Sequence, residues 1–186
     1  MGLPPYLCFD REICKSTVET LLTKLRSANS TNRVYVSSPG GTFDFFSVLG
    51  PAIQRQGIVT LSGDVRSAAV VLFLLGHVRQ ALPDATFFFH EVRTFVGQGN
   101  QITVADLEHA EEYERMMSAE GQEAYQEWRQ SMKMAQAWFA RFISTQTGLP
   151  ASTFLNLMRA EATLSAREAV RYGIVHEIVP ARLVWK

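Results

Sequence analysis

"GDVRSAAVVLFLLG", residues 63–76, sets the reading of this chain. An apolar run opens directly behind a glycine, an aspartate, an arginine and Ser67. The run is apolar on nearly all sides, the pattern of a buried helix, expected here over 67–81. A helix N-terminus carries partial positive charge and free N–H groups, so an oxyanion formed there is stabilised. Ser67 therefore has two readings. It is an N-cap that ties down the first turn, or it is a nucleophile.

Working outward, "YLCFD" (6–10), "RVYVS" (33–37), "GIVTLSG" (57–63) and "ATFFFH" (85–90) read as strands, the last a continuous apolar run of the parallel-sheet type. Between them lie an amphipathic helix over 16–28, with Val18, Leu21, Leu22 and Leu25 on one face, and a helical stretch over 43–56 kinked at Gly50–Pro51. Strand alternating with helix predicts a parallel sheet covered by helices, an α/β fold of repeated βαβ units. Right-handed crossovers bring the carboxyl ends of the strands to one rim, where ligands bind in such sheets. That rim carries "SPGG" (38–41), "GDVRS" (63–67) and His90.

The second half differs. "VRTFVGQGNQ" (92–101) is extended and glycine-punctuated. From Thr103 to Thr147 the chain is mostly helical, with an apolar stripe of Met132, Ala135, Phe139, Phe142 and Ile143 that Trp128 extends. Gly121 is expected to divide this stretch in two, and Gly148 and Pro150 to end it. A short helix over 152–160 follows. "SARE" (165–168) is a capping box whose helix runs to Tyr172, and 174–179 is a last strand.

The 186 residues suit a single domain, with the stretch at about 103–147 as an extended helical region. Formal net charge is zero, which gives no polyanion-binding surface and argues against nucleic acid as a partner. Acidic residues crowd between Asp106 and Glu127, as on a solvated helix face. Two cysteines, Cys8 and Cys14, make neither a disulfide framework nor a metal knuckle. No basic region followed by an apolar run opens the chain, and the apolar run ending at Gly76 is too short to cross a bilayer, so a cytoplasmic location away from membranes is expected.

His90 ends a strand, and histidine is the natural general base near neutral pH; the plainer alternative is a half-buried ring bonded to a backbone carbonyl. Gly40 and Gly41 permit a turn that exposes backbone N–H groups. One of these, with the N–H of Ala68, would make an oxyanion hole. His77, His109 and His176 have no metal-ligand spacing, and neither metal nor organic cofactor is expected. A nucleophile, a base and oxyanion donors on one rim are what nucleophilic acyl transfer needs. No G-x-S-x-G elbow occurs, which sets the chain apart from the α/β-hydrolases.

In these motifs the chain resembles the catalytic subunit of the Clp protease and the wider ClpP/crotonase-like fold. "VYVSSPGG" (34–41) is similar to the family's strand and glycine turn, "GDVRSAAVVLFLLG" to its serine turn and buried helix, "FFFHE" (87–91) to its histidine strand. "TLSAREAVRYGIVHEIV" (163–179) is similar to its C-terminal signature. The resemblance covers roughly 33–101 and 152–179.

It implies a ClpP-like serine endopeptidase with Ser67 as nucleophile, His90 as base, and Gly41 and Ala68 as oxyanion donors. Glu161 falls where the family has its triad aspartate. An extended peptide or unfolded-protein substrate would lie along Val96, Gly97 and Gln98, with Gly40 beside it. A ring-like homo-oligomer, with the helical region as a handle and an ATP-dependent unfoldase as partner, is also implied. The chain departs from the family at Arg66, where a small residue is usual, at Ala69, where glycine is usual, and in a longer segment between His90 and Glu161. The alternatives are a non-catalytic or regulatory paralogue acting in a ring, and a crotonase-like acyl-CoA enzyme.

Overall fold

A computed structural model describes residues 6–27, 31–96, 100–110 and 114–181. In chain order the elements are β1 (Leu7–Phe9), α1 (Lys15–Arg26), β2 (Arg33–Ser38), α2 (Phe46–Gln54), β3 (Val59–Arg66), α3 (Ala69–Leu74) and β4 (Val78–Phe88). Then come β5 (Arg93–Val96), β6 (Asn100–Thr103), α4 (Val104–His109), α5 (Ala119–Thr147), α6 (Ala151–Arg159), β7 (Thr163–Ser165), α7 (Ala166–Arg171) and β8 (Glu177–Ile178).

The main sheet has the order β1-β2-β3-β4-β7. Its first four strands are parallel. β7 is antiparallel to the last residues of β4, and β8 pairs in parallel with Gln80–Ala81. The expected parallel sheet covered by helices is therefore present, and β5 and β6 form a separate antiparallel hairpin.

Every residue of α3 is buried. It packs on β2, β3 and β4 from one side and on α5 from the other. Apolar all round, it can sit only between layers. The helix is much shorter than the sequence pattern suggests. Thr60 Oγ1 donates to the Phe73 carbonyl at 2.9 Å, and the His77 N–H donates to Ile58. A Cβ at Gly76 would lie 2.2 Å from Thr60 Oγ1, so only glycine lets the chain pass. β4 then starts at Val78, inside the span expected to be helical, and pairs with β3 in two registers. Ser62 faces Ala81, then Asp64 faces Thr86. This irregularity puts Pro83 and Asp84 outward and lets one long strand carry the rim residues.

α5 is one helix of 29 residues, roughly 44 Å long at 1.5 Å per residue. Gly121 does not divide it. The break lies earlier, at Ser118, whose hydroxyl accepts from the Gly121 N–H at 3.2 Å. Gly148, in the left-handed conformation, ends the helix. The apolar stripe of α5 serves two cores of this chain. Phe139, Ala140 and Ile143 join the main core, while Tyr125 and Met132 pack with Val104 and Leu107 of α4. The Ser165–Glu168 capping box forms as read, and Gly173 follows its helix with φ +66°. The last strand is only two residues long.

Candidate functional site

One groove on the rim, about 510 Å³, is lined by Gly41, Arg66, Ser67, Ala68, His90 and Arg93 among others. The topology brings them together. β3 ends at Arg66, β4 ends at Phe88 two residues before His90, and the Ser67 N–H donates to the Phe88 carbonyl at 2.9 Å. That bond ties the serine turn to the histidine strand.

Ser67 is half-buried, with φ +53°, a left-handed conformation costly for a residue with a Cβ. It does not cap α3: the helix is preceded by Ala68, and no side chain caps it. Among the described residues Ser67 Oγ has no hydrogen-bond partner. The sequence left cap and nucleophile open. The structure removes the cap and leaves a strained, unengaged hydroxyl.

Gly40 and Gly41 hold the facing wall. The Ile13 N–H donates to the Gly40 carbonyl at 2.6 Å, and the Thr42 N–H donates to the Ile13 carbonyl at 2.9 Å. Neither bond uses the Gly41 N–H. Among the described residues, the N–H groups of Gly41 and Ala68 have no acceptor. A Cβ at Gly41 would meet the Ile13 carbonyl oxygen at 2.1 Å, and one at Gly40 would meet Ser67 Cβ at 2.6 Å, with φ +141° and +96° respectively. Both positions therefore demand glycine.

The His90 ring lies against Phe88, centroids 5.6 Å apart. Its Nδ1 is 2.5 Å from the Glu91 carbonyl oxygen. A carbonyl only accepts, so Nδ1 carries the hydrogen and Nε2 presents its lone pair. Burial pushes the His90 pKa below the ordinary histidine value; the Glu91 carbonyl and Glu161 oppose this, and Arg93 adds to it. His90 is thus a neutral ring at pH 7, the form a general base requires.

Glu161 stands near His90 but is engaged elsewhere. Its carboxylate is ion-paired with the Arg93 guanidinium. Its own backbone has φ +48°, and the Phe89 N–H donates to the Ala162 carbonyl at 2.9 Å, which fixes this turn beside the histidine strand. Val96 lies on β5 opposite Asn100, while Gly97 and Gln98 lie outside the described residues.

Sequence reading did not single out Arg93, Glu91 or Gln136. Glu91 is buried and accepts from the Ala105 N–H at 3.1 Å and from Gln136 at 3.4 Å. Gln136 in turn accepts from the Val92 N–H at 3.0 Å. Together they pin the segment after His90 to α4 and α5. A buried glutamine inside the apolar stripe of α5 is the one sequence signal of this network. Among the described residues no group of three or more His, Cys, Asp or Glu is placed to hold a metal ion, and no helix is long and apolar enough to cross a membrane.

A family model described as Clp protease matches residues 116–182, a span that holds α5, Glu161 and the capping box but neither Ser67 nor His90. No curated protein matches the chain. Among solved structures, the ClpP protease catalytic domain of Plasmodium falciparum is 20% identical with a TM-score of 0.61, covering 92% of this chain and 83% of that one. A ClpP1 variant from Listeria monocytogenes is 20% identical with a TM-score of 0.66, covering 97% of this chain and 94% of that one. The chain has the ClpP/crotonase-like fold, and its C-terminal part matches the Clp protease family model.

Proposed function

We propose that this chain is a ClpP-like serine peptidase that cleaves peptide bonds at Ser67. The observation that carries the reading is the convergence in one groove of a strained, unpartnered Ser67 hydroxyl, a neutral His90 with Nε2 free, and two unengaged N–H groups at Gly41 and Ala68. His90 Nε2 takes the Ser67 proton as Oγ bonds to the scissile carbonyl carbon. The N–H groups of Gly41 and Ala68 hold the oxyanion. Collapse breaks the C–N bond, and His90 returns the proton to the leaving amine. Water, deprotonated by His90, then hydrolyses the acyl-enzyme. Catalytic hydrogen bonds are often loose before substrate binds, so the open Ser67 Oγ fits a resting site.

In this reading Glu161 moves from Arg93 to His90 Nδ1 in the working enzyme and steadies the imidazolium. The substrate is an extended peptide or unfolded segment beside β5, whose pairing with backbone is tolerant of sequence. A ring-like homo-oligomer fed by an ATP-dependent unfoldase is part of the same proposal.

The Glu161–Arg93 pair also favours a second reading, a catalytically silent paralogue that keeps the fold and works beside an active partner. Hydrolysis of a fluorogenic peptide series by wild type and by Ser67→Ala separates the two. Turnover lost in the variant supports the peptidase; a folded wild type that cleaves nothing supports the paralogue.

A further inference from the structure

The rim carries a cation that the chemistry above does not use. Arg66, the last residue of β3, immediately precedes Ser67 and lines the same groove, with its side chain 53% exposed. One edge of its guanidinium is engaged. Nε donates to Asp64 Oδ2 at 2.8 Å, and Asp64 Oδ1 accepts from Thr86 Oγ1 at 2.6 Å. Asp64 is thus anchored to the neighbouring strand and turns the guanidinium. The two terminal nitrogens of Arg66 make no other hydrogen bond among the described residues.

The other charges of the groove are Arg93, Glu12 and Glu91. Arg93 is taken by Glu161, and Glu91 is buried and spent on the Ala105 N–H and Gln136. Both terminal nitrogens of Arg93 are engaged, by Gln101 and Glu161, so Arg66 is the cation of this groove whose terminal nitrogens are both open among the described residues. A guanidinium held along one edge offers its other edge to a carboxylate, often in two parallel bonds.

Resting on the peptidase reading, we infer that Arg66 is a specificity residue: the groove favours peptides with a Glu or Asp side chain next to the bond that Ser67 attacks. An arginine reaches about two residues of extended chain, at roughly 3.3–3.6 Å per residue, so the acidic side chain lies within two positions of the scissile bond.

The test is binding to a Ser67→Ala protein, which reads recognition without turnover. The probes are amidated fluorescent peptides that differ only in Glu against Gln at each position flanking a central bond. The Glu peptide is expected to bind about tenfold tighter at one such position, the scale of one charge-assisted hydrogen bond. Adding Arg66→Gln should bring the ratio to about one, and adding Arg66→Glu should shift preference to a Lys peptide. Equal binding of Glu and Gln peptides, no binding of either, or selectivity that survives Arg66→Gln overturns the inference. So does a preference seen only with a free C-terminal carboxylate. Acid selectivity in the binding assay, with no cleavage of any peptide by wild type, leaves Arg66 in its role and removes the peptidase reading.

Discussion

The Glu161 carboxylate is ion-paired with the Arg93 guanidinium, while the His90 ring that it neighbours is held through Nδ1 by the carbonyl of Glu91. In the proposed mechanism His90 and Arg93 compete for the Glu161 carboxylate; in the structure its partner is Arg93, from the β5–β6 hairpin. That hairpin is also where the proposed substrate strand lies, which links occupancy of the groove to the partner of Glu161.

Removing Arg93 separates the ion pair of Glu161 from the role proposed for it at His90. Arg93 lowers the His90 pKa and Glu161 raises it. Arg93→Gln should therefore move the His90 titration up, and Glu161→Gln should move it further down, followed by NMR of the ring protons. If Glu161 steadies His90 during turnover, Glu161→Gln also lowers kcat by about tenfold or more. Equal, small losses in both variants would place Glu161 outside the chemistry.

The acid limb of the peptidase pH profile follows from the same ring. On the proposed mechanism the neutral form of His90 is the base, and burial holds its pKa below the ordinary histidine value. As pH falls, kcat/KM should stay flat past that ordinary value and decline only below it. A limb centred above it would mean that another group limits the rate.

Gly40 lies between Gly41, the proposed oxyanion donor, and the turn at Ser67. Its φ is +96°, and a Cβ there would lie 2.6 Å from Ser67 Cβ and 2.8 Å from the Arg66 carbonyl oxygen. Gly40→Ala should reduce peptide hydrolysis about 100-fold, the scale of losing one oxyanion donor, while thermal unfolding stays cooperative. Near-full activity would contradict the placement of this wall.

Arg79 tests the fold rather than the site. Buried in β4, it donates to the carbonyls of Ile174, Gln146 and Gly173 at 2.8–3.1 Å, joining the end of α5 to the C-terminal segment. Arg79→Met leaves three inward carbonyls without their donor. It should cost about 3 kcal/mol in urea unfolding; a loss below about 1 kcal/mol would mean that water replaces the guanidinium.

What the sequence made legible follows the range of the forces involved. The Ser165–Glu168 box is local chemistry within four residues and formed as read. The strand ends that carry Gly41, Ser67 and His90 to one groove follow from alternation and crossover handedness. The apolar run after Ser67 is read as one helix to residue 81, past the true end at Leu74, because a fully buried helix and a fully buried strand have the same pattern. Only the Thr60 bond to Phe73, made from another strand, shows where α3 stops. Ser118 out-competes Gly121 as the start of α5 because its hydroxyl can cap a first turn. Arg93 lies 68 residues from Glu161, and no spacing rule pairs them.

The account stands or falls on Ser67 as an activated nucleophile. The direct measurement is labelling with a fluorophosphonate probe, with the adduct mapped by mass spectrometry, on wild type, Ser67→Ala and His90→Ala. The account predicts one adduct, on Ser67, absent from Ser67→Ala and strongly reduced in His90→Ala. A folded wild type that takes no label, or takes it equally without His90, would contradict it.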